Sequence, residues 1–212
     1  MKVQYLGLQP YQEVYEAMQA FTENRTSETA DELWVVEHPA VYTQGQNGKP
    51  EHILNAHNIP IVKVDRGGQV TYHGPGQIVV YTLINFKARH CGVRSLIRAL
   101  ENAIIATLKS YGIVGNGDVS APGVYVSGKK IAALGLRIRK GAVYHGLSLN
   151  VDMDLTPFKG INPCGYQGLE VTQMRDLTSK EISLEAVEAT LLTHLEYYLD
   201  EKQLSKSSEA EK

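Results

Sequence analysis

Apolar side chains recur at three- and four-residue intervals from Tyr11 through Val14, Tyr15, Met18 and Phe21, the spacing of one buried helix face. Pro10 precedes them, and proline suits the first turn because its missing N–H would go unpaired there anyway. Three short apolar runs follow, Glu32–Glu37, Ile61–Val64 and Ile78–Ile84. They are rich in Val, Ile and Tyr and bounded by Gly and Pro, which predicts strands. Helical spacing returns from Val93 through Leu96, Ile97, Leu100 and Ile104 to Leu108, with Gly112 as the stop. Val124–Val126, Lys130–Ile138 and Val143–Val151 then predict a strand meander that turns at Ser127-Gly128 and Lys140-Gly141. Ser183 caps a last helix carrying Leu184, Val187, Leu191, Leu195 and Leu199. Strands in the middle, helices at both ends and one between predict an α+β fold, a mixed or antiparallel sheet flanked by helices. A single domain is expected over 1–204, with a main lobe over about 1–156, a small C-terminal lobe over about 157–204 and a disordered tail over 205–212.

Composition narrows this picture. The chain has 212 residues, 43% hydrophobic and 21% charged, as in an ordinary soluble protein. A net charge of -2 excludes a general attraction for nucleic acid. Its two cysteines, Cys91 and Cys164, argue against a disulfide scaffold and point to a reducing cytoplasm. The opening residues lack the apolar core of a signal peptide, and the strongest apolar run, Ile78–Ile84, is far short of the roughly 20 residues that span a bilayer. A cytoplasmic protein with no membrane contact is expected.

Four segments carry candidate chemistry. Asp65 to Gln77 holds five Gly or Pro residues among Arg66, Thr71, Tyr72, His73 and Gln77. Glycines let backbone approach a ligand, but a glycine-rich turn between two strands explains the same pattern. It is neither a phosphate-cradling nor a dinucleotide-binding loop. Cys164, between Pro163 and Gly165, fits either an exposed loop nucleophile or a small buried side chain. Cys91 lies at a helix start, where thiol pKa values fall, so it is a rival nucleophile by local chemistry, although plain structural packing is the favoured reading there. Lys129 and Lys130 alternate on a strand, so one of them should face inward and need a partner or a task; a solvated edge strand that its lysines guard against aggregation explains the same pair. Arg137 and Arg139 share a face at period two. His73 and His145 lie in glycine-flanked polar stretches, and the seven histidines show no metal-ligand spacing.

Taken together these blocks resemble the octanoyl transferases of lipoate biosynthesis, the lipoyl(octanoyl) transferases. Arg66-Gly-Gly-Gln-Val-Thr-Tyr-His-Gly-Pro-Gly-Gln-Ile-Val-Val-Tyr81 matches that family's signature, and Gly128-Lys-Lys-Ile-Ala-Ala-Leu-Gly-Leu-Arg-Ile-Arg139, His145-Gly-Leu-Ser-Leu-Asn-Val151 and Ile161-Asn-Pro-Cys-Gly-Tyr166 follow in its order. The resemblance runs from about Val3 to the last helix. It implies the fold shared with biotin and lipoate protein ligases. It also implies transfer of an octanoyl group from octanoyl-acyl carrier protein to a lysine of a lipoyl domain, through a thioester on Cys164 and without a cofactor or metal. The expected acceptors are the lipoyl domains of 2-oxoacid dehydrogenase complexes and the glycine-cleavage H protein. Lys130, directly before Ile131, matches the lysine that activates the cysteine, and Lys129 does not. Arg66, Gly67, Gly68, Gln69, Val70, Thr71, Tyr72 and His73 match acyl-substrate-binding positions, as do Ala133, Leu134, Gly135, Gly146, Leu147 and Ser148. A free thiol is only a few per cent thiolate at neutral pH, and a neighbouring ammonium raises that fraction. Burial is expected to lower the pKa of Lys130 so that it can pass protons. Three rivals stand beside this reading: an ATP-dependent lipoate or biotin ligase, an amidotransferase between lipoyl domains, and a non-catalytic module that binds acyl carrier or lipoyl domains.

Overall fold

The computed structural model describes residues 1–118, 121–200 and 202–204; the tail expected over 205–212 lies outside the described residues. A seven-stranded sheet forms the spine, in the order β1 (Lys2–Leu8), β2 (Glu32–Glu37), β6 (Gln77–Leu83), β10 (Ala142–Asn150), β9 (Lys129–Arg139), β8 (Gly123–Val126) and β7 (Asn116–Gly117). β1 runs parallel to β2 and the remaining pairs are antiparallel, so the sheet is mixed. A second sheet of three strands has β3 (Val41–Gln44) between β4 (Ile61–Lys63) and β5 (Val70–His73).

Both faces of the large sheet are covered, which is why β6 and β10 are buried along their whole length. On one face Leu33, Val35, Ile78 and Val80 pack beneath α2 (Val93–Ser110) and α3 (Leu184–Tyr198). On the other, Trp34, Val36, Val79 and Tyr81 meet Tyr11, Val14, Tyr15 and Met18 of α1 (Tyr11–Glu23). Alternate residues of one strand thus enter different cores, the period-two rule of a pleated sheet. Val187, Leu191, Leu195 and Leu199 sit in the same cluster as α2 and the sheet, so α3 shares the main core.

The helices and the meander fall where their apolar spacing puts them. Four strands go beyond it: β1 is largely exposed, β3 and β7 are short, and β5 lies inside the glycine-rich stretch. Among the described residues, no helix is long and apolar enough to cross a membrane.

Candidate active site

Lys130 reaches the site through a break in register. β8 pairs Gly123 with Ala133 and Val124 with Ala132, then Tyr125 with Lys130 and Val126 with Lys129, so β9 carries one extra residue. The bulge lets Ile131 and Ala132 both enter the core under α2. It also turns Lys130 to the side occupied by Ala133, where regular alternation would have put it on the other; re-aiming side chains is what bulges do beside active sites. Lys130 is only 4% exposed, whereas Lys129 is solvated and pairs with Glu170 at 3.3 Å.

Cys164 arrives from a different direction. It occupies a short 3-10 turn, Pro163–Gly165, with φ 57° and ψ 14°. That left-handed conformation costs a non-glycine residue about 1–2 kcal/mol, strain of the kind that persists where surrounding contacts hold it. The Gly165 N–H donates to the Asn162 carbonyl, and the Asn162 N–H to the His52 carbonyl. Six residues later the chain locks onto β9: the Lys130 N–H donates to Glu170 and the Thr172 N–H to the Lys130 carbonyl, bridging Lys130 and Val171. This bridge brings together two residues far apart in sequence. The Lys130 Nζ lies 2.9 Å from the Cys164 Sγ, 3.3 Å from the Pro122 carbonyl oxygen and 5.3 Å from the centre of the Tyr125 ring. Burial pushes the Lys130 ammonium toward deprotonation, but the Cys164 sulfur and the Tyr125 hydroxyl outweigh it, and its pKa is raised. The expectation of a lowered lysine pKa is therefore corrected: burial acts as expected, but the contacts with the Cys164 sulfur and Tyr125 act more strongly in the other direction.

From Cys164 a slot runs along the large sheet on the α1 side, roofed by the 66–73 segment. Arg66, Gly67, Gly68, Gln69, Val70, Thr71 and His73 line it, facing Ala133, Leu134 and Gly135 of β9 and Gly146, Leu147 and Ser148 of β10. Tyr72 does not; alternation along β5 turns it into a cluster with Tyr42 and Phe158. Lys130 and Cys164 share an adjoining small cavity with Asn150 and Gln77. Tyr11, Val79, Tyr81 and His145 also line the slot. The alternation of β6 places Val79 and Tyr81 on the face that holds Gln77, a signal legible in the sequence once that face is identified.

The slot's polar lining is kept neutral with one exception. Burial holds His73 down to about 3 and His38, which bonds to the Tyr81 hydroxyl at 2.7 Å, down to about 4. His145 has φ 60° and is also depressed by burial, so its Nε2–H donates to Asp65 at 3.0 Å as a neutral ring. Burial alone would raise the Asp65 carboxyl, but hydrogen bonds from His145 and Tyr144 hold it well below the usual range. Arg66 is the exception. It donates to the Thr43 carbonyl and hydroxyl and to the Gly67 carbonyl, and among the described residues no carboxylate pairs with it.

His38 and His73 are neutral in the fold and take up protons on unfolding, so their contribution is complete above about pH 6.5 and is lost as pH falls toward their folded values. Stability is expected to drop by a few kcal/mol between about pH 7 and about pH 4.5, measured by urea unfolding. A slope unchanged in His38→Gln would exclude His38 from that loss.

Comparison with known proteins places this geometry. Residues 10–196 match the lipoyl protein ligase A/B catalytic domain family. The octanoyltransferase of Chromobacterium violaceum is 61% identical over 197 residues, which cover 93% of this chain and 95% of that protein. The T. acidophilum lipoate protein ligase structure with bound lipoic acid superposes with a TM-score of 0.76 at 16% identity, covering 93% of this chain and 85% of that one. The Aquifex aeolicus biotin protein ligase in complex with biotin and ATP gives a TM-score of 0.58 at 14% identity, covering 95% and 72%. At those identities the two ligases establish the shared fold, a mixed sheet flanked by helices.

Proposed function

The chain belongs to the octanoyltransferase family within the lipoyl protein ligase A/B catalytic group, and from that premise we propose that it moves an octanoyl group from octanoyl-acyl carrier protein to a lipoyl-domain lysine through a thioester on Cys164. The observation that carries this reading is the 2.9 Å contact between the Cys164 Sγ and the Lys130 Nζ at the mouth of a largely apolar slot.

The acyl chain lies along β10. The register sets Asn150, Ser148 and Gly146 beside Gln77, Val79 and Tyr81, three rows that extend about 14 Å. Gly135 and Gly146, paired across β9 and β10, leave those two strands without side chains in the far row, where Tyr81 of β6 lines the slot. Tyr72 supports the roof and is not assigned to the acyl group.

In the first half-reaction the Cys164 thiolate attacks the thioester carbon of the carrier protein, and the carrier sulfur leaves and takes a proton from the Lys130 ammonium. Thioester exchanges for thioester, so no nucleotide is required. In the second, the acceptor amine attacks the acyl-enzyme, the Cys164 thiolate is expelled and Lys130 regains its proton from the attacking nitrogen. The acceptor ammonium gives up two protons in all, one to Lys130 and one to solvent, and an amide replaces a thioester. Transfer is therefore downhill.

Acceptors of this chemistry are lipoyl domains of 2-oxoacid dehydrogenase complexes and the glycine-cleavage H protein. Two free thiols, Cys91 buried and Cys164 partly exposed, support a cytoplasmic setting. Intact-protein mass spectrometry after mixing with octanoyl-acyl carrier protein tests the reading. A gain of one octanoyl group without ATP, discharged by a lipoyl domain, is expected. Transfer only when free octanoate and ATP are supplied would replace it with a ligase.

A further inference from the structure

The peptide unit joining Pro122 and Gly123 is held at both ends. Its carbonyl oxygen accepts from the Lys130 Nζ at 3.3 Å, and its N–H donates to the Glu101 Oε1 at 3.1 Å. Glu101 sits on α2, across the sheet edge from the slot, and is half-buried. A trans peptide points its two polar groups in opposite directions, so Glu101 and Lys130 face each other across a single peptide plane. The fit is close. A Cβ on Gly123 would come within 2.5 Å of the Lys130 Cε and 2.8 Å of the Ala132 carbonyl oxygen, and its φ of +154° is one that side chains rarely adopt. Gly123 therefore lies flush against the lysine stem and is free to rotate if the carboxylate releases it.

We propose that Glu101 is a positioning residue for the acyl-transfer site: by anchoring the Gly123 N–H it keeps the Pro122 carbonyl turned toward Lys130 and so holds the ammonium against Cys164. Released, the peptide can turn over and present its N–H to the ammonium, which repels it and lets the Nζ drift from the sulfur. This inference rests on the transferase reading for its significance, but its geometry concerns Lys130 and Cys164 in the enzyme alone. The titratable or charged groups around Lys130 are Cys164, Tyr125 and Glu101, with Arg66 beyond the sulfur and Arg98 and Asp118 beyond the carboxylate.

The test is the alkylation rate of Cys164 by iodoacetamide from about pH 6 to about pH 9, measured on the full chain in a Cys91→Ala background, alongside single-turnover octanoyl loading. Glu101→Ala is expected to slow both by about tenfold at neutral pH, as a modest misplacement of reacting groups does. Glu101→Gln keeps an acceptor oxygen and is expected to recover most of each rate. Glu101→Met preserves the bulk without the acceptor and serves if the alanine variant does not fold. Wild-type alkylation in a folded Ala or Met variant would overturn the proposal, as would a Gln variant no faster than they are. Because alkylation needs no acyl donor, a protein that fails to transfer octanoate yet shows this pattern would discard the transferase reading and keep the clamp.

Discussion

Cys164→Ala is expected to lower octanoyl transfer by about four orders of magnitude or more, the scale on which losing a covalent nucleophile acts. Among the described residues that share its small cavity, Lys130, Thr71, Gln77, Ser148 and Asn150 carry polar groups, but none is a thiol. Cys91→Ala is the informative control. Its thiol is buried, burial pushes its pKa up, and it donates only a long contact to the Phe86 carbonyl at 3.7 Å. Transfer by the Cys91 variant at close to the wild-type rate, with no mass gain in the Cys164 variant, is the anticipated pair of results. Measurable acyl-enzyme in Cys164→Ala would place the nucleophile elsewhere and end the mechanism proposed above.

Lys130→Ala should cost about 10²- to 10⁴-fold in transfer, the usual range for a positioned proton donor and acceptor. It should also slow Cys164 alkylation at neutral pH, because it removes the ammonium that lies 2.9 Å from the sulfur. Lys129→Ala removes only an exposed pair with Glu170, and such pairs are worth about 0–1 kcal/mol. Its transfer and alkylation should match wild type. Equal losses in the two variants would mean that general charge near the loop matters and the buried contact does not.

These two lysines show how far the amino-acid pattern alone reaches. Strand alternation states that one of them faces inward, and the family resemblance selects Lys130. The residue that decides the matter physically is Ile131, and nothing in Lys-Lys-Ile-Ala-Ala marks a bulge, because Ile131 and Ala132 are both apolar and suit either face. The contact with Cys164 is hidden for another reason: it depends on backbone bonds of Glu170 and Thr172, whose side chains carry no pattern. β5 is hidden because its flanking glycines speak for a loop, although Val70–His73 pairs fully with β3. Glu101 looks like any glutamate on an amphipathic helix; its task emerges only once a loop peptide is laid against it. The helices and the meander are legible because their apolar spacing is long and regular, and the two-sided burial of β6 beyond Gln77 follows from the unbroken run of apolar residues and threonine over Ile78–Leu83.

The extra residue in β9 makes that strand a ruler whose phase matters more than its composition. Were β8 and β9 to pair evenly with Ile131 kept in the strand, a comfortable sheet by every local measure, alternation would swing the lysine into the core beneath α2 without altering any group that touches substrate. Exchange of Ile131 for another apolar residue of similar volume leaves the count intact. Between Lys130 and Ala133, then, this enzyme tolerates spelling changes so long as the extra letter stays out of step with β8.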